Sequence, residues 1–340
     1  MTPCPTRVAF LGFGTVNRAL HALLCGRREA LAREHGVHVQ VTGVATRRGG
    51  WRADAAGLDP ASDGGARCAD VREWLAASRA EVVLEAIALD PHTGQPALDY
   101  LRAVIEHGAH AVSANKGPVV HGYRELAGLA ASRGVAYRFE SAVMDGAPVF
   151  SLARECLPML GLTAVRGVFT STATVALEAM ERGGTLADGV AHAQRLGIAE
   201  ADSSFDVDGW DTAVKLCAVA NVLLGGTLTP ADVAREGIGS VAADDVRRAR
   251  AVGRPLRLVG EVERTGDGAL AARVALVRCP PDGPLGVVTG TTLVMRYEAD
   301  VFPGGLTVTS RDPDATTTAY GMLADLIAVL REPRRNASAG

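Results

Sequence analysis

The chain has 340 residues, 48% hydrophobic and 21% charged, an ordinary globular composition with room for two domains. A net charge of −3 speaks against a nucleic-acid partner, and the lack of any run of about eighteen apolar residues speaks against a membrane span. Six cysteines without CxxC spacing and eight scattered histidines point to reduced thiols of a cytoplasmic protein and away from a transition-metal site; MTPCPTRVAFLGFG enters its first strand with no signal peptide.

Residues 7–12, RVAFLG, read as a short apolar strand, followed by GFGTVN and a helix to about Glu34. Strand, glycine turn and helix in that order are the setting a dinucleotide needs. Gly12 permits the tight turn, and Gly14 lets the backbone approach a pyrophosphate on the N-terminus of a helix opening with Thr15 and Val16. Asn17 stands where the third glycine of GxGxxG is usual, and is expected to loosen helix–strand packing without abolishing binding. The competing reading is a plain βα turn.

Residues 38–46 form the second strand, whose end meets the adenosine ribose in such a unit. It closes on Thr46-Arg47-Arg48, with no acid before Asp54. Arginine there accommodates a 2′-phosphate, so NADP is expected, with NAD as the alternative. The bland reading makes Arg47 and Arg48 solvated loop charges. Residues 50–68 read as a loose surface connection. A helix (70–78), strand (81–88), helix (95–108), strand (109–114), helix (122–133) and strand (135–139) follow. Alternation of this kind predicts an α/β fold with a Rossmann-type doubly wound parallel sheet. Asn115-Lys116 lies just past a strand's C-terminal end, where ligands of such sheets bind.

Beyond Glu140 come a helix (about 147–158), a strand (165–171) and helices (174–182 and 186–196). The stretch GIAEADSSFDVDGWDTAVK, from Gly197 to Lys215, then gathers Glu200, Asp202, Asp206, Asp208, Asp211 and Lys215 in an otherwise apolar chain. Its first half reads as a loop. Asp208 is the expected N-cap of a helix too apolar for a surface. Asp211 and Lys215 are four apart on one face, acid first, the favourable order. Such a pair in a buried helix is a candidate for chemistry; a structural ion pair is the alternative. A helical segment (230–251), four β-rich segments and a final helix (315–331) complete the chain. The second domain therefore reads as α+β, an open sheet with apolar faces, which suits a homodimer. The expected division is 1–140, with a returning C-terminal helix 311–332, then a substrate and dimerisation domain 141–310 and a disordered tail 333–340.

These residues resemble the homoserine dehydrogenase family along nearly the whole chain. The resemblance rests on the GFGTV turn, the SANK segment, GIAEADSSFDVDGWDTAVKL, Glu236 to Ile238, and the Thr318-Ala319 helix. In the acidic stretch Gly197, Ala199, Glu200, Asp202, Gly209, Asp211, Lys215 and Leu216 keep the family's spacing. The resemblance implies NAD(P)-dependent interconversion of aspartate 4-semialdehyde and homoserine, a step of threonine and methionine biosynthesis. It implies that Asp211 and Lys215 are the catalytic pair and that Lys116 lies between cofactor and substrate. Glu200 and Asp206 would hold the substrate's amino group, and Thr172 would touch the substrate. A monovalent cation, Na+ or K+, would sit on Glu140 and the backbone of Val143, Asp145 and Ala147.

The family's NGTTNY is TSTATV here (Thr170 to Val175), its GGGIP-type loop is AVMDGAP, its tyrosine before Ala-Glu is Ile198, and its GPGAG is SRDPD (Ser310 to Asp314). Cofactor and acid–base positions survive while residues around the substrate differ. Two alternatives stay open: a related enzyme acting on another amino or hydroxy acid, and a catalytically silent NADP(H)-binding dimer. Feedback control through an appended domain is not expected.

Overall fold

The computed structural model describes residues 5–199 and 201–331. The tail expected to be disordered, 333–340, lies outside the described residues. By internal contacts, residues up to Gly146 together with those from Asp314 form one unit, and Ala147–Pro313 form a second.

The first unit begins with β1 (Thr6–Leu11), whose last four residues are buried, then α1 (Thr15–Gly26) and α2 (Arg28–His35). Strand β2 (Val39–Thr46) follows, then β3 (Gly50–Ala53) and β4 (Ala66–Cys68). The loose connection expected over 50–68 is thus a small antiparallel extension of the sheet, with Val44 opposite Arg52 and Trp51 opposite Cys68. Helix α3 (Val71–Ser78) starts where Asp70 accepts from the amides of Arg72 and Glu73 at 2.9 Å each. Strand β5 (Val82–Glu85) stops earlier than expected, because the Glu85 carboxylate turns back to accept from the Ile87 amide at 2.9 Å.

Helix α4 (Ala97–His107) and β6 (His110–Ser113) lead into α5 (Lys116–Arg133) and β7 (Tyr137–Arg138). Helix α5 begins six residues before the expected start. Gly117-Pro118 reads as a breaker, yet proline is tolerated in a first turn, and Asn115 supplies the cap by accepting from the Gly117 amide at 3.0 Å. The sheet order is β4-β3-β2-β1-β5-β6-β7, with β2, β1, β5, β6 and β7 parallel. This is the expected Rossmann-type fold.

The second unit opens with a single π-helical turn, Leu152–Cys156, in place of the longer helix expected over 147–158; none of its residues is buried. Strand β8 (Leu162–Val168), α6 (Ser171–Glu181) and α7 (Leu186–Arg195) follow, the last held by a capping box between Thr185 and Asp188. A short helical turn, α8 (Ser204–Val207), precedes α9 (Trp210–Leu223). Asp208 does not cap α9: it ends α8, and the cap position falls on Gly209 at φ +79°, a left-handed conformation that suits glycine. The segment 230–251 is broken, with β9 (Ala234–Arg235) and then α10 (Ala243–Ala251).

Strands β10 (Leu256–Arg264), β11 (Leu270–Arg278), β12 (Leu293–Ala299) and β13 (Phe302–Ser310) complete a six-stranded sheet ordered β13-β12-β8-β10-β11-β9. Its registers set Arg296, Arg166, Glu261 and Arg273 in one row. Gly260 faces α9, since a Cβ there would meet the Thr212 methyl, so Glu261 faces away. The face turned away from α9 therefore carries a charged row beside an apolar cluster that includes Val168, Val259 and Val294. The chain ends in α11 (Ala315–Arg331), which returns to the first unit, where Ala319, Met322, Leu323, Leu326 and Val329 share a core with Val8, Phe10, Leu20 and Leu84.

Among the described residues no helix is long and apolar enough to cross a membrane, and the described cysteines are all unpaired.

Candidate functional site

In the first unit, Gly12 adopts φ +85°, and a Cβ there would lie 2.5 Å from the Ala86 carbonyl oxygen, so only glycine fits. At Gly14 a Cβ would meet nothing within 4 Å, leaving the turn's outer face open. Gly14 caps α1 without a side-chain hydrogen bond, which leaves the helix start, Thr15 and Val16, suited to an anion. Asn17 is fully buried, and its amide donates to the carbonyls of Gly12 at 2.7 Å and Leu84 at 3.1 Å. It staples the glycine turn to β5, where looser packing was expected.

Beside that turn a cavity of about 540 Å³ is lined by Phe13, Arg18, Thr46, Arg48 and Arg52, among others. Arg18 donates to the Phe13 carbonyl at 3.1 Å and lies over the Phe13 ring. Arg52 is 5% exposed and is held by the carbonyls of Ser62 and Gly64. Asp63 is the carboxylate in the lining. Of the two expected arginines, Arg48 lines the cavity, while Arg47 stands exposed outside the lining. The cavity is of a size for an adenosine, with Arg18, Arg48 and Asp63 as charged groups at its wall.

At the far side of β5, Asn115 caps α5 and Lys116 is the helix's first residue, half-buried. The Asn115 side chain reaches Glu85, which is fully buried and accepts from Ser113, Asn115 and Ile87. Burial pushes the Glu85 carboxyl up, and these hydrogen bonds oppose it only in part. Glu140 is 3% exposed and its amide donates to Asp325 at 2.7 Å; Val143 is buried and Asp145 has φ +48°. Among the described residues no cluster of three His, Cys, Asp or Glu side chains could hold a metal.

In the second unit, α9 is buried nearly all round: Ala213, Val214, Leu216, Cys217, Ala218, Val219 and Ala220 are each 0% exposed. On it the Lys215 ammonium lies 2.8 Å from Asp211 Oδ2 and donates to the Phe169 carbonyl at 2.7 Å. Both side chains are nearly buried, at 12% and 10% exposed, so this is not a solvated surface pair. The Thr170 hydroxyl donates to the same Asp211 Oδ2 at 2.9 Å and meets the Thr212 hydroxyl at 2.9 Å. Thr172 is buried, and its hydroxyl donates to the Ile198 carbonyl at 3.2 Å, fastening the acidic loop to α6. Asp206 lies half-buried in α8. Glu200 lies outside the described residues.

The profile for homoserine dehydrogenase matches residues 148–327. An NAD(+)-dependent homoserine dehydrogenase of Pseudomonas canavaninivorans is 33% identical over 343 aligned positions, spanning 97% of each protein. The chain belongs to the homoserine dehydrogenase family. The homoserine dehydrogenase of Pseudomonas aeruginosa is 32% identical across 96% of this chain and 73% of its own length. The putative homoserine dehydrogenase of Archaeoglobus fulgidus superposes with a TM-score of 0.81 at 27% identity, over 95% of this chain and 99% of that one. That of Thiobacillus denitrificans gives 0.83 at 27%, over 97% and 76%. As a homoserine dehydrogenase family member, the chain is an NAD(P)-dependent oxidoreductase.

Two features escape a reading of motifs alone, and a third does not. Thr170 occupies the place of the family's amide, and its hydroxyl contact with Asp211 depends on how β8 meets α9. Arg18 and Arg52 lie far apart in sequence and meet only in the cavity. The third was legible: among 340 residues Lys116 and Lys215 are the sole lysines, every other basic side chain of this kind being arginine.

Proposed function

We propose that this homoserine dehydrogenase family member interconverts L-aspartate 4-semialdehyde and L-homoserine, with NADP as the preferred cofactor. The observation that carries the reading is the buried Lys215–Asp211 pair, with Nζ 2.8 Å from Oδ2. When bound, the nicotinamide supplies or accepts the hydride. Lys215 gives the carbonyl oxygen its proton as an aldehyde is reduced and takes it back as the alcohol is oxidised. Asp211 orients the ammonium and keeps it charged against desolvation. Lys116 adds a second positive charge for the reacting oxygen or the substrate carboxylate. Glu200 and Asp206 bind the cationic amino group, and Thr172 holds the loop that carries them.

Lys215 is one of only two lysines in a chain otherwise furnished with arginine, which supports its role, since arginine stays protonated at any working pH and cannot pass a proton. Gly12, Gly14, Thr15, Val16 and Asn115 would cradle the dinucleotide, and Arg48 with Arg18 would face the 2′-phosphate. NAD is the second reading: Asp63 in the same cavity could accept from a ribose hydroxyl, and the Pseudomonas canavaninivorans relative is named NAD(+)-dependent. A monovalent cation on Glu140 and the carbonyls of Val143 to Ala147 is part of the proposal. So is a homodimer.

The replaced Thr170–Val175 segment favours a related amino or hydroxy acid as the alternative substrate. Turnover of L-homoserine against a panel of amino and hydroxy acids separates the two. A homoserine kcat/KM within about 10⁴–10⁸ M⁻¹s⁻¹ supports the first, and activity on analogues alone overturns it. Lys215→Ala is expected to lose about 10²–10⁴-fold in kcat while NADPH fluorescence titration stays unchanged. Near-normal turnover in that variant would remove Lys215 from the reaction.

A further inference from the structure

Glu85 is a fully buried carboxyl that the reaction above does not use. It ends β5, directly opposite Ser113 at the end of β6. Its Oε2 accepts from the Ser113 hydroxyl, and its Oε1 accepts from the Asn115 side-chain amide at 3.3 Å and the Ile87 backbone amide at 2.9 Å. The Ser113 hydroxyl in turn accepts from the Asn115 backbone amide at 3.0 Å, and Asn115 Oδ1 caps α5 through Gly117 at 3.0 Å. Two oxygens of one side chain thus hold Ser113 and Asn115, two of the three residues that precede Lys116. The residue just after β5, Ala86, touches the glycine turn, its amide donating to the Leu11 carbonyl at 2.9 Å and its own carbonyl filling the space a Cβ on Gly12 would need. A carboxyl is expensive to bury, and an apolar side chain would fill this place at lower cost if packing were all that was required.

We propose that Glu85 is the positioning residue of the Ser113–Asn115–Lys116 turn, setting where the Lys116 amine leaves the first turn of α5. The role of Lys116 itself rests on the function proposed above, but the clamp can be tested apart from it. Lys116 and Lys215 are the only lysine amines in the chain, so an amine-directed reagent reports on each by peptide mass spectrometry. Glu85→Gln keeps the shape but offers one acceptor oxygen where three donors converge on two. Ser113→Ala removes the hydroxyl that bridges Glu85 and the Asn115 amide, with little change in volume.

In both variants the reductive methylation rate of Lys116 is expected to change by about threefold or more while that of Lys215 holds, because the clamp touches one amine only. Homoserine kcat/KM should fall by about fivefold or more, as expected for one weakened buried hydrogen bond. Equal movement of both lysines would mark a general loosening and overturn the clamp, as would no movement of either. A Lys116-specific change with turnover untouched would uphold the clamp and overturn the role of Lys116 in the reaction.

Discussion

Asp211 Oδ2 is met by the Lys215 ammonium and accepts from the Thr170 hydroxyl, which also meets Thr212. The ammonium is further tethered to the Phe169 carbonyl, so both members of the pair are held from β8's end as well as from α9. Removing the Thr170 hydroxyl while keeping its volume should let Asp211 swing. Thr170→Val is expected to lower kcat about 5–30-fold, the equivalent of a hydrogen bond to a charged group, with cofactor affinity unchanged. Thr170→Ser should restore most of the loss, because it returns the hydroxyl. A valine variant with full kcat, or a serine variant as slow as the valine one, would show that the hydroxyl does not act through Asp211. The family's amide at this position is therefore replaced here by a group that still donates, which softens the apparent departure of the TSTATV segment.

At the scale of elements, the outward row of the six-stranded sheet joins Glu261 to Arg166 and to Arg273, the latter at 2.5 Å. Burial works to raise the Glu261 carboxyl, but the Arg273 and Arg166 hydrogen bonds outweigh it and hold it below the ordinary carboxylate range. A carboxyl depressed in the folded state stabilises above its unfolded pKa and loses that contribution as pH falls through the lower folded value. Glu261→Gln is thus expected to destabilise at pH 7 by about 1–3 kcal/mol, below the range for a fully buried pair because Arg273 is 62% exposed. The gap to the parent should close as pH falls through the carboxylate range, read by urea unfolding at a series of pH values; a gap that does not narrow would contradict the ion row. This row also shows what patterning could and could not reveal. Alternation along RLVGEVE marks a strand, but which strand lies beside it, and so whether its charges find partners, depends on the order β12-β8-β10-β11. Local chemistry was legible: the glycine turn, the Asp211–Lys215 spacing and the parallel alternation all stand where their residues put them. Asn17 was not, because its amide reaches Leu84, 67 residues away, and a lost glycine looks the same whether its replacement is slack or stapled. The start of α5 was missed for a local reason, since Gly117-Pro118 reads as a break only until Asn115 is seen to cap it.

At the scale of the whole chain, the three tryptophans divide between the two units: Trp51 and Trp74 in the first, Trp210 in the second. Trp74 is fully buried, and its ring centroid lies 5.3 Å from that of Trp51. Tryptophan fluorescence of a Trp210→Phe variant therefore follows the unfolding of the first unit alone. A ligand that binds only the folded state at 100 times its dissociation constant adds about 2.7 kcal/mol, or roughly 5–10 °C for a unit of this size. NADPH is expected to raise the fluorescence melting point by that amount, and NADH at equal concentration to raise it less, since Arg48 and Arg18 would have no phosphate to bind. The double variant Arg18→Ala/Arg48→Ala should bring the two shifts together by lowering the NADPH one. Equal shifts in the parent protein would instead make Asp63 and the ribose hydroxyl the deciding contact and NAD the cofactor. No shift from either nucleotide would detach the glycine turn from cofactor binding altogether.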